Sequence, residues 1–293
     1  MNGKNIVYHY TSLEGLIGII NSQKIWATDI MFLNDASEFK YSKDILYEEV
    51  KKLQENDSRF KQANNFDESL GHFFYKFLEE NIEKLFPSEH FSFYVCSFSE
   101  EKDLLSQWRG YCKNGIGFSI GFSLDRLKEN FKQASFSIKK CIYNKNKQTD
   151  LINDLLKNTS EKFISEIGSS ADKKIAWDTK SKYLSVEFIS EFIKLAPAFK
   201  NPHFIEEKEW RVIASLQTPG IITKLLRFRP GKTMIIPYVE LFLPEEDGKL
   251  IIDEMVIGPT NDNSLSISSL NLLLMSKNVV CHKISSSTVP YRA

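Results

Sequence analysis

The chain has 293 residues, 42% hydrophobic and 26% charged, enough for one large domain or two small ones to bury a core. Lys+Arg and Asp+Glu number 38 each, so net charge gives no footprint for a broad polyanion-binding surface and leaves room only for a local basic groove. Cys96, Cys112, Cys141 and Cys281 stand singly with no CxxC pair, which argues against a zinc knuckle or a disulfide framework and fits reduced cysteines in a cytoplasmic protein. The opening MNGKNIVYHYTS has no cationic segment before a long apolar run, and no stretch approaches the roughly 18 apolar residues of a membrane helix. Neither a secretory leader nor a membrane partner is expected.

In chain order, NIVYHY (5–10) reads as a short strand and TSLEGLIGIINSQK as a helix. Thr11 or Ser12 can cap that helix, and Leu13, Leu16, Ile17 and Ile20 share one face. KIWATD is a second strand, followed by the turn-like FLNDAS and the amphipathic helix SEFKYSKDILYEEVKKLQEN. Residues 55–70 are polar and read as a connection, and 69–86 as helix. FSFYVCSFSE, GIGFSIGFS and SFSIKKCIYN are strands, with LLSQWRGY a short helix among them. Residues 146–168 and 172–200 are helical, split by GSSADK. EKEWRVIAS, TMIIPYVELFL and LIIDEMVIGP are late strands, and SISSLNLLLMSKN is the last helix. Strands and helices mix without regular βαβ alternation, which predicts one α+β domain over 1–293 with a mainly helical insertion at about 145–200.

Several familiar motifs fail. GIGFSIG has the glycines of a dinucleotide loop, but aromatic and β-branched residues alternate through them as within a strand, with no turn into a helix facing a phosphate. GxxxxGK[ST] and HExxH are absent. His9, His72, His90, His203 and His282 are too far apart to form metal-ligand spacing, so no metal is expected.

Three segments stand out together. Tyr8-His9-Tyr10-Thr11-Ser12 leads straight into a helix. Trp26, on KIWATD, is followed by Asn34-Asp35-Ala36-Ser37 and a helix carrying Phe39 and Tyr41. Glu207-Lys208-Glu209-Trp210-Arg211 begins a late strand. Their order and spacing resemble the ADP-ribosyltransferase superfamily, in its H-Y-E branch. There a first-strand histidine, a second-strand aromatic and a late-strand glutamate surround NAD. The chain also resembles an uncharacterised bacterial family with a YHYTS-like opening, a central FSE…W…Y…GF.IGF block and an EWR strand.

The superfamily resemblance implies a split β-sheet core and cleavage of NAD at the nicotinamide–ribose bond, without a metal. It implies Glu209 as the carboxylate answering positive charge on the sugar, Glu207 as a base for the acceptor, and His9 as the ribose ligand. It further implies that Tyr10 and Thr11 line the cofactor and that Trp26 or Tyr41 stacks on nicotinamide. Trp108, Arg109 and Trp210 are candidates for acceptor contact. A nucleic-acid acceptor, RNA ahead of DNA, follows from the H-Y-T opening, and a toxin or phage-defence role with an antitoxin partner follows from the look of such bacterial proteins. Plainer readings stand beside these. Glu209 could pair with Arg211 on an exposed face, since alternation places Glu207, Glu209 and Arg211 together. Trp26, Trp108 and Tyr111 could be core. Arg227, Arg229 and Lys232 could be a solvated face or a nucleic-acid contact. The other functional alternatives are an NAD glycohydrolase and a non-catalytic binding or immunity module.

Overall fold

A computed structural model describes residues 5–33, 37–56, 78–80, 82, 92–111, 116–131, 136–168, 173–216, 224–260 and 262–290. The chain forms two compact units rather than the single domain expected. The first is Met1–Phe32, Phe93–Cys141 and His203–Ala293; the second is Leu33–Ser92 and Ile142–Pro202. Helices accompany a mixed, multi-stranded sheet, in keeping with the α+β expectation. Among the described residues no helix is long and apolar enough to cross a membrane.

The first unit begins with β1 (Ile6–Ser12), α1 (Leu13–Ser22) and β2 (Lys24–Asp29). Ser12 caps α1 by accepting from the Gly15 N–H at 3.2 Å, which satisfies one of the helix's orphan donors. Gln23 ends α1 at φ 54, returning the chain directly into β2. β3 (Ser92–Ser99), α3 (Leu105–Tyr111), β4 (Gly117–Ser123), α4 (Leu124–Phe131) and β5 (Phe136–Lys140) follow the segment that supplies α2 to the second unit. The glycine run is thus a strand, paired with β1 on one side and with Glu254–Ile257 on the other. A Cβ on Gly121 would sit 2.7 Å from the Tyr8 ring and 3.0 Å from the Glu254 carbonyl, so glycine is what admits the tyrosine there.

The later strands are β6 (Glu209–Leu216), β7 (Arg227–Pro230), β8 (Ile235–Phe242), β9 (Glu245–Glu246), β10 (Lys249–Ile252), β11 (Glu254–Ile257), β12 (Val280–Cys281) and β13 (Ile284–Ser286), with α7 (Asn263–Ser276) before the last two. The main sheet runs β13-β11-β4-β1-β3-β2-β8-β7, and β6 pairs with both β3 and β5. β3 therefore has three partners. Its register with β1 is a single pair, Tyr8–Ser99, whereas β1 and β4 pair along their whole length. The sheet forks at that pair.

Alternation sorts the side chains into two faces. Val7, Ile25, Ala27, Tyr94, Cys96, Phe98, Ile120, Phe122, Val239 and Leu241 enter the main core with Leu16 and Ile20 of α1. Tyr8 and Tyr10 enter a smaller cluster with Trp108 and Val256 on the other side.

Among the described residues the second unit includes α2 (Ser37–Asn56), α5 (Lys145–Gly168) and α6 (Lys173–Leu195). Ile45, Leu46 and Val50 of α2 are buried, as are Ile152, Leu156, Leu184, Phe188 and Phe192. The side chain of Phe39, expected on the same face of α2, lies outside the described residues, as does most of the 55–86 region. The helical part is thus larger than an insertion at 145–200, because α2 belongs to it.

Candidate active site

The late-strand carboxylate is where the structure departs furthest from an exposed face. Glu209 is 4% and Arg211 2% exposed. Arg211 donates from Nε to Glu209 Oε1 at 2.8 Å and from Nη2 to Oε2 at 3.0 Å, a two-pronged, charge-assisted pair. Val212 and Ala214 lie in the main core, so strand alternation directs Glu209 and Arg211 to the opposite side. Glu207 does not share the strand with Glu209. It closes a 3-10 segment, Pro202–Glu207, and Lys208 at φ 42 breaks the backbone between them. Two further bonds pin this entry to the end of β3: Ser99 Oγ donates to the Glu207 carbonyl at 2.7 Å and Glu100 N to that of Lys208 at 3.2 Å.

His9 is half-buried on β1, one residue past the fork. Its Nδ1 lies 3.0 Å from the Ser97 carbonyl oxygen and 3.8 Å from Cys96 Sγ. A carbonyl only accepts, so Nδ1 carries the proton and Nε2 of the neutral ring is an acceptor. Burial lowers the His9 pKa, outweighing the opposing pull of the Ser97 carbonyl, and keeps the ring neutral at pH 7. Burial also pushes the Cys96 thiol far up, and the Glu209 charge adds to the rise. Cys96 is therefore a neighbour of His9 that also feels the Glu209 charge. Nothing in its sequence context, FSFYVCSFSE, had set this cysteine apart.

Tyr10 carries a backbone consequence of the fork. The Asn5 carbonyl accepts from Leu124 N on the β4 side, while Gly117 and Gly121 turn their carbonyls to the β11 side. Odd-numbered residues of β1 thus bond β4, and the N–H and C=O of Tyr8 and Tyr10 face β3. Among the described residues the register pairs Tyr8 there and not Tyr10. The Tyr10 ring lies on the other face, 3% exposed, with its hydroxyl donating to the Glu101 carbonyl at 2.7 Å and accepting from Leu104 N at 3.0 Å. Thr11 is buried against α1, where a Cβ on Gly15 would meet its Oγ1.

The remaining candidate tryptophans, Trp26, Trp108 and Trp210, have partners of their own. Trp26 shares a face with Thr28, Val95, Ser99 and Tyr8 through the pairs Thr28–Val95 and Tyr8–Ser99, so Trp26 and His9 project from opposite faces of the sheet. Tyr41 belongs to the second unit, where its hydroxyl donates to Gln148 Oε1 at 2.9 Å. Trp108 is fully buried, with Nε1 donating to Asp103 Oδ1 at 2.7 Å and its ring 4.8 Å from that of Tyr10, which leaves no open face for an acceptor. Asp103 also accepts from Ser287 Oγ, Thr288 N and Thr288 Oγ1. Trp210 is half-buried, bonds Glu100 Oε1 at 2.8 Å and lies beneath the Lys128 and Lys140 ammonium groups at 5.3 and 5.9 Å. Its ring is already engaged. Arg109 is exposed in the last turn of α3. Among the described residues no group of three or more His, Cys, Asp or Glu could hold a metal ion.

Residues 107–212, from within α3 to within β6, match the model of a family described as a protein of unknown function (DUF2971). Searches of curated proteins and of solved structures gave no match.

Proposed function

We propose that the chain is an NAD-dependent ADP-ribosyltransferase on an ADP-ribosyltransferase-like split sheet, acting on a macromolecular acceptor, nucleic acid first, as a bacterial toxin or phage-defence effector restrained by an antitoxin. The observation that carries this reading is the fork between β1 and β3. Beside it lie His9, with Nε2 as an acceptor, and the Tyr10 backbone groups directed toward β3, and the Glu209 charge is felt at Cys96, the neighbour of His9. In that reading His9 Nε2 accepts from a ribose hydroxyl, and the Tyr10 amide and carbonyl hold the nicotinamide carboxamide. Glu209 stays ionised beside Arg211 and faces the positive charge that builds on the sugar as the glycosidic bond lengthens. Glu207 remains a candidate base for the acceptor only from its place ahead of the strand.

The burial of Glu209 favours a second reading, a non-catalytic module in which the ion pair is structural. Purified chain incubated with labelled NAD and with RNA, DNA or protein separates the readings. Label on a macromolecule supports transfer, free ADP-ribose alone supports a glycohydrolase, and no turnover supports the module. Glu209→Gln is expected to lower turnover at least about 100-fold in the folded fraction, the scale of a lost transition-state contact. His9→Ala is expected to weaken NAD binding while the fold survives. Wild-type turnover in folded Glu209→Gln sinks the mechanism.

A further inference from the structure

The face of β2, β8 and β7 on the Trp26 side has a composition that the proposed chemistry does not use. The register places Lys24, Trp26 and Thr28 opposite Phe242, Glu240 and Tyr238, and Arg227 opposite Tyr238 in turn, with Arg229 two residues on. Trp26 is 43% and Phe242 64% exposed. The indole lies over the Tyr238 ring at 4.4 Å with a tilt of 32°, so a second ring already orients it. The Lys24 charge is answered by Glu240 at 2.9 Å. The arginine charges are not: among the described residues neither Arg227 nor Arg229 meets a carboxylate. Arg227 Nη1 donates to the carbonyls of Lys224 and Leu226, and Arg229 Nη2 to Thr28 Oγ1 at 3.3 Å. Arg229 Nε is buried with no hydrogen-bond partner. Between Arg211 and Glu240 the sequence holds Lys224, Arg227, Arg229 and Lys232 and no acidic residue.

From this juxtaposition we infer that the Trp26–Tyr238–Arg227–Arg229 face binds a single-stranded polynucleotide, with a base on the outer side of the Trp26 indole and backbone phosphates on the two guanidinium groups. Trp26 and Arg227 stand two strands apart, about 10 Å, so base and phosphate contacts can be made side by side along one chain. Stacking needs an unstacked base, which a duplex hides. Guanidinium forks suit phosphate oxygens and carry no sequence preference. The neutral chain as a whole gives no competing long-range attraction, so binding localises to this patch. The inference shares with the proposed transferase reading only the class of acceptor and involves none of its chemistry.

Anisotropy of a fluorescein-labelled, mixed-sequence 12-nucleotide RNA, titrated with the full chain without NAD, tests it. Binding is expected to weaken with salt, and Arg227→Gln/Arg229→Gln is expected to reduce the log–log salt slope by about 1.4, two single-strand phosphate contacts. Trp26→Ala should weaken binding roughly 5- to 150-fold, the range of one lost base stack, with Trp26→Phe recovering most of it. Unchanged thermal unfolding of the variants excludes misfolding as the cause. Equal affinity for the matching duplex, wild-type binding by the variants, or capture by phosphatidylserine vesicles with RNA inert would each overturn the proposal. Because NAD is absent, an inert transferase leaves this result standing, and failed RNA binding leaves transfer to another acceptor standing.

Discussion

Two buried carboxylates occupy opposite roles in the first unit. Arg211, itself almost fully buried, holds Glu209 through two bonds. Glu254, 5% exposed, is held by three donors: Tyr8 Oη at 2.8 Å, Lys283 Nζ at 2.8 Å and Lys102 Nζ at 3.1 Å, the two lysine side chains being 59% and 46% exposed. In the first pair both charges have left water, so removing either one strands a buried charge. In the second, the cations keep much of their hydration and any one of them can be lost cheaply. Carboxylate burial alone thus does not mark a functional group. What sets Glu209 apart is that its charge is felt at Cys96, the neighbour of His9.

The comparison breaks most visibly if one partner is removed from the dry pair. Arg211→Met is expected to cost about 3–5 kcal/mol in urea unfolding, because it strands a buried charge. Glu209→Gln/Arg211→Met should recover most of that loss, since no charge is left unanswered. A single variant within about 1 kcal/mol of wild type would show that water reaches the pair.

The next effect is pH-dependent. Burial alone would raise the Glu254 pKa, but the hydrogen bonds from Lys283, Tyr8 and Lys102 outweigh it and hold the carboxyl at about 2, against an ordinary 4.5. A depressed carboxyl stabilises the fold fully above its unfolded value and loses that contribution as pH falls from 4.5 to about 2. The ceiling is about 3 kcal/mol, nearer 2 once the exposure of both lysines is discounted. Glu254→Gln should flatten this acid limb in unfolding free energies measured against pH. An unchanged limb would move the acid sensitivity to other groups.

Tyr8→Phe, which deletes one donor to that carboxylate, should cost about 1.5 kcal/mol with little change in packing. Lys102→Ala and Lys283→Ala should each cost below about 1 kcal/mol, and the cost should shrink further in high salt. A lysine variant as damaging as Arg211→Met would erase the distinction between the two sites.

The local signals in the sequence were mostly legible. Ser12 caps α1 as its position before LEGLIGII predicts, and the aromatic alternation of GFSIGFS marks β4 despite its glycines. The Glu209–Arg211 pairing was readable from i,i+2 alternation, but its burial was not, because burial depends on what other elements lay over β6. Glu207 was misplaced by one backbone angle, the positive φ of Lys208, which lysine's identity does not announce. The opposite facing of His9 and Trp26 depends on registers that run through Ser99 and Val95, some 70 to 90 residues away in sequence. Nor could spacing reveal that α2 leaves the first unit, since its amphipathic face fits any apolar partner. The ADP-ribosyltransferase reading of the site therefore rests on residues whose neighbourhood is set by long-range pairing.

The place of β4 has a consequence for synthesis. β1 pairs with β4 by residue 123, but the far edge of β4 is completed only by β11 and then β13, at 254–286. At roughly 5–20 residues per second, the ribosome leaves that edge unpaired for roughly 10–30 s. Its carbonyls and N–H groups are meanwhile open to any strand that passes, its own later ones or another nascent copy's. Slowing translation across 124–253 should therefore lower the yield of monomeric chain, and supplying the 254–290 segment as a separate peptide should restore part of it.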